Sequence, residues 1–354
     1  MTLGDDLVLA APADFHVHVR QGPMCELVTP HVAQGGIRTA YVMPNLIPPL
    51  TTSAAALRYQ SELRRISPET EWLMTLYLHP DVTPDEIRIA AKAGIRGVKS
   101  YPRGVTTNSS SGIEDYSVYY PVFKAMEEED MVLNLHGEVP SDHSKNISVL
   151  NAEKHFLTHL RRLASDFPNL RIVLEHATTF EAVSCVLSLP PSVACTITAH
   201  HLFLTIDTVA PQPYHYCKPL AKEPRDRDAL QEAVRSGNPK FFLGSDSAPH
   251  PTSSKAPVSL EGSEPSPCAA GVYTSPILVP LVATLLESFG ALDKLEGFVS
   301  VNGRKFYGVP AKDGENVRLK RVQGKRVPSV LRGEAGVEVV PFWAGKQIGW
   351  EIID

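Results

Sequence analysis

The sequence predicts an α/β protein built as a (β/α)8 TIM barrel. Three observations carry this. Eight short apolar runs recur along the 354 residues, helix-like segments alternate with them, and no Gly-rich phosphate loop follows the first run. Repeated strand–helix alternation is the signature of a parallel barrel, whereas a doubly wound open sheet would usually announce that loop.

The strands are expected near 12–18, 38–43, 71–78, 95–101, 131–136, 171–176, 193–199 and 240–246. Each is rich in Val, Ile, Leu and aromatics, as strands buried on both faces should be. Residues 53–66 read as a helix that begins with a Ser cap and places Leu57, Leu63 and Ile66 near one face. Residues 84–93 start with Pro in the first turn and stop before Gly94. Residues 151–164 and 225–236 are charged and amphipathic. The tail after about residue 310 reads as short strands and turns packed on the barrel, so residues 1–354 are expected to form one domain.

Composition narrows the function classes. The net charge of −5 and the lack of a basic run argue against nucleic acid. No stretch approaches the ~20 apolar residues of a membrane span. The N-terminus carries Asp5 and Asp6 rather than a basic region, so it reads as mature protein without a targeting segment. Five cysteines, an odd number with no C-x-x-C pair, argue against a disulfide framework and favour a reducing cytoplasmic setting.

The polar residues fall in a pattern. His16 and His18 are two apart on the first strand, so period-two alternation points both to one face. Lys99 ends the fourth strand, His136 the fifth, His176 the sixth and Asp246 the eighth. Strands of Val, Leu and Ile that stop repeatedly at ionisable residues, all at one end, suggest metal ligands at the barrel mouth. Lys99 is the odd member, because a protonated amine has no lone pair. It is either carbamylated into an anionic ligand or a lysine that binds substrate or phosphate. Two long connections, 102–116 and 247–275, follow strands and should lie on the same face. His155 and His159 share a helix face expected to be solvated. His200 and His201 follow the seventh strand without being assigned as ligands, and Cys217 and Cys268 are read as packing residues.

At this point a family is recognisable. DFHVHVR (14–20), VMPNLIPP (42–49), GVKSYP (97–102), TTNSS (106–110), HGE (136–138), EHATT (175–179), LGSDSAPH (243–250) and SVNGRKFYG (300–308) resemble the single-function dihydroorotases of bacteria and fungi, within the amidohydrolase superfamily. The resemblance implies two Zn2+ per subunit, bridged by carbamylated (carboxylated) Lys99 and a hydroxide. It assigns His16, His18, Lys99 and Asp246 to the more buried ion, and Lys99, His136 and His176 to the second. It implies that Arg20, Asn45 and His250 hold a substrate carboxylate. Thr106 and Thr107 would close over the open-chain substrate, and Ala270 would offer backbone contacts. Lys218 sits where some members have an apolar residue, so backbone contacts are expected there and its side chain is a departure. Ser100 is a second departure, and the segment 251–267 matches poorly.

The implied reaction is the reversible closure of N-carbamoyl-L-aspartate to L-dihydroorotate in pyrimidine (UMP) biosynthesis, with Asp246 as the proton carrier. A homodimer is expected from the same resemblance. A hydantoinase or dihydropyrimidinase is the nearest rival, but it would lack the Arg20 and Asn45 clamp. A catalytically silent barrel scaffold should have lost a ligand or Asp246, and neither is missing.

Overall fold

The computed structural model describes residues 6–256 and 267–353; most of the poorly matched segment 251–267 therefore lies outside the described residues. In chain order the strands are β1 (Asp6–Ala10), β2 (Ala13–Val17), β3 (Thr39–Val42), β4 (Glu71–Tyr77), β5 (Gly97–Ser100), β6 (Val132–His136) and β7 (Arg171–Glu175). Then come β8 (Val193–Ile197), β9 (Phe241–Leu243), β10 (Asn316–Arg321), β11 (Leu331–Arg332), β12 (Glu338–Val339) and β13 (Trp350–Ile353). Strands β2 to β9 pair in sequence order, all parallel, and correspond to the eight expected runs. The seam is joined just beyond β9: Asp246 N donates to His16 O at 2.8 Å, and His18 N donates to Ser247 O at 3.0 Å. The expected (β/α)8 barrel is the observed fold.

The helices form where local chemistry favours them, with one correction. The cap of the Ser53–Ile66 helix is Thr52, whose side chain accepts from Ala55 N; Ser53 is already helical and donates to Glu86. Thr and Ser are both competent caps, so the adjacent pair hid the boundary. The buried stripe of this helix runs through Ala56, Tyr59 and Leu63. The Pro84–Lys92 helix is capped by Thr83, and its chain reverses at Gly94, whose φ of +82° suits glycine.

The barrel interior is a packed core rather than a pore. Phe15, Tyr41, Val132, Val173, Phe242 and Tyr307 form its floor. Tyr307 comes from the short helix Asn302–Tyr307, which plugs the N-terminal end and stacks on Phe15 at 4.6 Å. Strand β2 carries an irregularity that matters. Its pairing with β3 shifts between Asp14 and Val17, so two residues there, Phe15 and His16, face one on β3, Tyr41. Such a bulge changes which residues point inward. It lets Phe15 pack in the floor while His16 and His18 line the mouth.

The tail contains the short strands expected, but one partner was not anticipated. β10 lies between β1 and β13 in an antiparallel sheet, so the N-terminal segment belongs to the same small sheet as the tail. Val8 is 53% exposed while Leu9 is buried, an alternation too short to register in a sequence window.

The close approach of β5 to its neighbours rests on Gly97, where an added Cβ would overlap the Val132 carbonyl and the Tyr41 hydroxyl. Gly97→Ala is expected to cost about 1–3 kcal/mol through overpacking. A urea midpoint equal to that of the parent would count against this account of the floor.

Candidate active site and metal centre

The mouth of the barrel gathers every site residue expected from the sequence, from elements far apart in the chain. His16, His18, Arg20, Asn45, His136, His176, Lys218 and Asp246 line one cavity, together with Thr106, Thr107 and Ala270. Lys99 lies beneath it, fully buried. His250 stands beside Arg20.

Three of these residues have backbones that side-chain-bearing residues avoid: Arg20 (φ 59°), His176 (φ 42°) and Asp246 (φ 45°). Each follows the end of a barrel strand, where the chain must turn sharply to aim a side chain inward. Strain of this kind persists only where the surroundings over-determine it. At Asp246 the surroundings are the β2 seam bond and two imidazoles. His18 Nε2 lies 3.1 Å and His16 Nε2 3.4 Å from the same oxygen, Asp246 Oδ1.

The imidazoles are held by carboxylates behind them. Glu175 Oε2 accepts from His16 Nδ1 at 2.9 Å, which leaves Nε2 free toward Asp246. Glu175 also accepts from Asn134 and Thr196, and Asn134 in turn accepts from the Tyr41 hydroxyl at 2.9 Å. Glu138 pairs with His136 Nε2 at 2.7 Å. Carboxylate–histidine pairs of this form orient metal ligands and raise their basicity. Glu138 and Glu175 carry no assigned role in the sequence motifs HGE and EHATT. The available signal was a charged residue ending the apolar run RIVLE.

Electrostatics fit a cation site. Burial lowers His16, His18, His136 and His176 below the ordinary imidazole value, so each keeps a lone pair near neutrality. Burial pushes Asp246 up, but the His18 bond and the charges of His16, His18 and Lys99 outweigh it and hold the carboxyl at about 2. Burial pushes Glu175 up to about 7 against the pull of Lys99, Thr196 and Asn134. Burial brings Lys99 down to about 8, opposed by Glu175 and Asp246. Lys99 Nζ and His176 Nδ1 have no hydrogen-bond partner among the described residues. An unpaired buried amine amid neutral imidazoles is costly as an ammonium. It suits modification to an anion shared by cations. The donor set of imidazoles, a carboxylate and a modified amine therefore fits hard-to-borderline divalent metal.

The rim is built for an anion. Arg20 Nε donates to Pro249 O at 2.9 Å, and its Nη2 lies 3.1 Å from His250 Nε2. His250 Nε2 is also 3.0 Å from Ala270 O, which can only accept, so a proton on Nε2 serves Ala270 and leaves Arg20 Nη2 for a ligand. The 102–116 connection packs over the mouth: Asn45 Nδ2 donates to Thr107 O at 3.0 Å and Lys218 Nζ to Val105 O at 2.6 Å. Asn45 Oδ1 and Thr106 Oγ1 are buried without partners among the described residues.

Comparison with known proteins decides the family. A family model described as Amidohydrolase matches residues 65–243. A dihydroorotase of Mycosarcoma maydis is 52% identical, covering 98% of both chains. The chain belongs to the dihydroorotase family. It is thus a hydrolase of cyclic amide bonds, in a superfamily that depends on metal. A crystal structure of dihydroorotase in complex with 5-fluoroorotic acid from Saccharomyces cerevisiae has a TM-score of 0.92 at 45% identity, covering 99% of each chain. An L-hydantoinase of Arthrobacter aurescens shares the fold with a TM-score of 0.76, covering 99% of this chain and 89% of its own, at 17% identity. In this member of the dihydroorotase family, His155 and His159 are exposed, as expected of a solvated helix face. Among the described residues no helix is long and apolar enough to cross a membrane.

Glu175→Gln keeps the shape of the side chain and removes its charge. Zinc affinity measured by chelator competition is expected to fall about 10- to 100-fold. Retention equal to the parent would remove Glu175 from the ligand-orienting role.

Proposed function

We propose that the chain interconverts N-carbamoyl-L-aspartate and L-dihydroorotate, the third step of pyrimidine synthesis, with two zinc ions held at the barrel mouth. The observation that carries this is the meeting of a histidine-rich, Lys99-centred metal pocket with an arginine clamp, Arg20, that follows the strand carrying His16. Carbamylated Lys99 would be shared between the ions, with His16, His18 and Asp246 on one and His136 and His176 on the other. When bound, the ions would bring the pKa of water toward about 7 and draw charge from the amide carbonyl.

The chain's own residues perform the rest. In hydrolysis Asp246 takes the proton of the attacking water and returns it to the departing ring nitrogen; cyclisation reverses both transfers. The depressed carboxyl of Asp246 keeps it an anion able to accept. Arg20, brought by burial to about 10, still carries its charge at neutrality and grips the ring carboxylate with the free Nη2. Asn45, His250 and the Ala270 backbone fix the orientation. Thr106 and Thr107 close over the open-chain form and exclude water. Lys218 reaches the same cavity and adds positive charge where a substrate with two carboxylates must enter.

We read the barrel and tail as one domain, supported by the pairing of β1 with β10. A cytosolic homodimer is the assembly we favour; five free cysteines suit a reducing compartment. Sedimentation at micromolar concentration tests the dimer.

The reaction is tested by absorbance-monitored hydrolysis of L-dihydroorotate alongside metal analysis. Asp246→Asn is expected to lose about 10²–10⁴-fold in kcat while the protein retains most of its zinc. Parent protein that stays inactive after zinc and bicarbonate are restored would overturn the reading. Preference for a hydantoin would move it to the hydantoinase class.

A second variant probes the clamp. Arg20→Lys keeps the charge but loses the planar fork, so kcat/KM should fall about 10- to 100-fold, mainly through KM. An unchanged KM would free Arg20 from carboxylate binding.

A further inference from the structure

Behind the mouth lies a second cluster of metal-ligating side chains that shares no residue with the first. We propose that His200, His201 and Cys217 form a third, thiolate-containing metal site suited to Zn2+. It would staple the end of β8 to the segment that carries Lys218 into the cavity.

His200 and His201 follow β8, and Cys217 precedes Lys218. All three side chains are buried. One ligand atom from each lies within 4.8 Å of the others, as in the His16, His18 and Asp246 group. Zinc binds sulfur at about 2.3 Å and nitrogen or oxygen at about 2.0–2.2 Å, so neighbouring donors on a tetrahedron stand roughly 3.3–3.6 Å apart. Cys217 Sγ is 3.6 Å from His201 Nε2. The Pro219 carbonyl oxygen is 3.1 Å from His201 Nε2 and 3.3 Å from Cys217 Sγ. Sulfur, nitrogen and oxygen thus already mark one face of such a tetrahedron.

His200 provides the independent observation. Both of its ring nitrogens lack hydrogen-bond partners among the described residues, in a ring with no solvent exposure. Buried polar atoms are nearly always satisfied, and an exception calls for an explanation. His200 packs on His201 at 4.4 Å between centroids, and one of its nitrogens lies within 4.8 Å of the His201 and Cys217 ligand atoms. The tautomer of His201 is also provided for. Without an ion its Nε2–H donates to the Pro219 carbonyl; with an ion the ring proton sits instead on Nδ1, 2.9 Å from Thr198 Oγ1, and the Nε2 lone pair is freed for the metal.

Loading the site breaks the Cys217 S–H bond, forms the sulfur–metal bond and releases the proton to solvent; nothing is oxidised. Without an ion, burial pushes the Cys217 thiol up to about 12, so it stays protonated. Asp246 and Glu138 push the thiol further up, and Lys255 and Lys222 oppose them. One thiolate with two imidazoles is a donor set that selects zinc over magnesium or calcium.

The catalytic ligands supply only nitrogen and oxygen, so sulfur marks the third site. Full-length protein is stripped of metal, kept reduced and titrated with Co2+. The expected result is saturation near three equivalents per chain, with an intense near-ultraviolet thiolate-to-cobalt absorption. Cys217→Ser should lose that band and about one equivalent of metal, and His201→Gln should weaken it. Parent protein that saturates at about two equivalents with no such band overturns the proposal, whatever the variants do. A band that survives Cys217→Ser overturns it too. Failure of the dihydroorotate assay with the band intact would strike the proposed reaction and leave the third site standing.

Discussion

The Glu175 carboxylate is the constraint on which the site depends. It sits at the C-terminal end of β7 with no exposure to solvent, in surroundings that penalise its charge. Donors from three other strands make it tolerable: His16, Asn134 and Thr196. Asn134 carries the same network down to Tyr41 and Tyr307 in the floor. Buried networks of this sort are stable only when every member is satisfied, so they specify one arrangement. Here the arrangement fixes the ring of His16 from below and leaves the Lys99 amine close by without a partner among the described residues. The packed floor and the reactive mouth are two ends of one hydrogen-bonded column.

Above that column the rim works by leaving groups unpaired. Arg20 is anchored through Nε while Nη2 is left over, and Asn45 Oδ1 and Thr106 Oγ1, of residues that line the cavity, are buried without partners among the described residues. The 102–116 connection lies over them, joined through Asn45 and Lys218. A cavity with organised donors and acceptors but no internal partners for them favours a small, highly polar ligand over an apolar one. The strained backbones at Arg20, His176 and Asp246 are consistent with this, since packing and seam bonds hold them in place before any ligand arrives.

Much of this was legible in the sequence because strands and their ends leave strong signals. Eight buried runs gave the barrel, and ionisable residues at one end of those runs gave the mouth. The H-x-H pattern was read correctly as sharing a face, yet the bulge in β2 was not visible, since an extra residue in a pleat changes pairing without changing composition. Glu138 and Glu175 stand inside the HGE and EHATT motifs without a role of their own, because only the fold reveals that they lie behind His136 and His16. β1 was read for its acids alone, as its partner lies at the far end of the chain. Cys217 and His201 are separated by a helix-and-turn segment, so no spacing rule links them.

The placement of β1 shapes the order in which the chain can be completed. This strand leaves the ribosome ahead of the whole barrel, but its hydrogen-bonding edge is filled only by β10, which is made after β9 has closed the ring. Until then Leu7 and Leu9 have no sheet to join, and an unpaired edge is an invitation to the wrong partner. Asp6 and the short length of β1 make it a poor template for a stranger. The last strands thus act as a clasp fastened around the first, and a nascent chain halted before residue 316 would hold a nearly finished barrel with its opening strand still adrift.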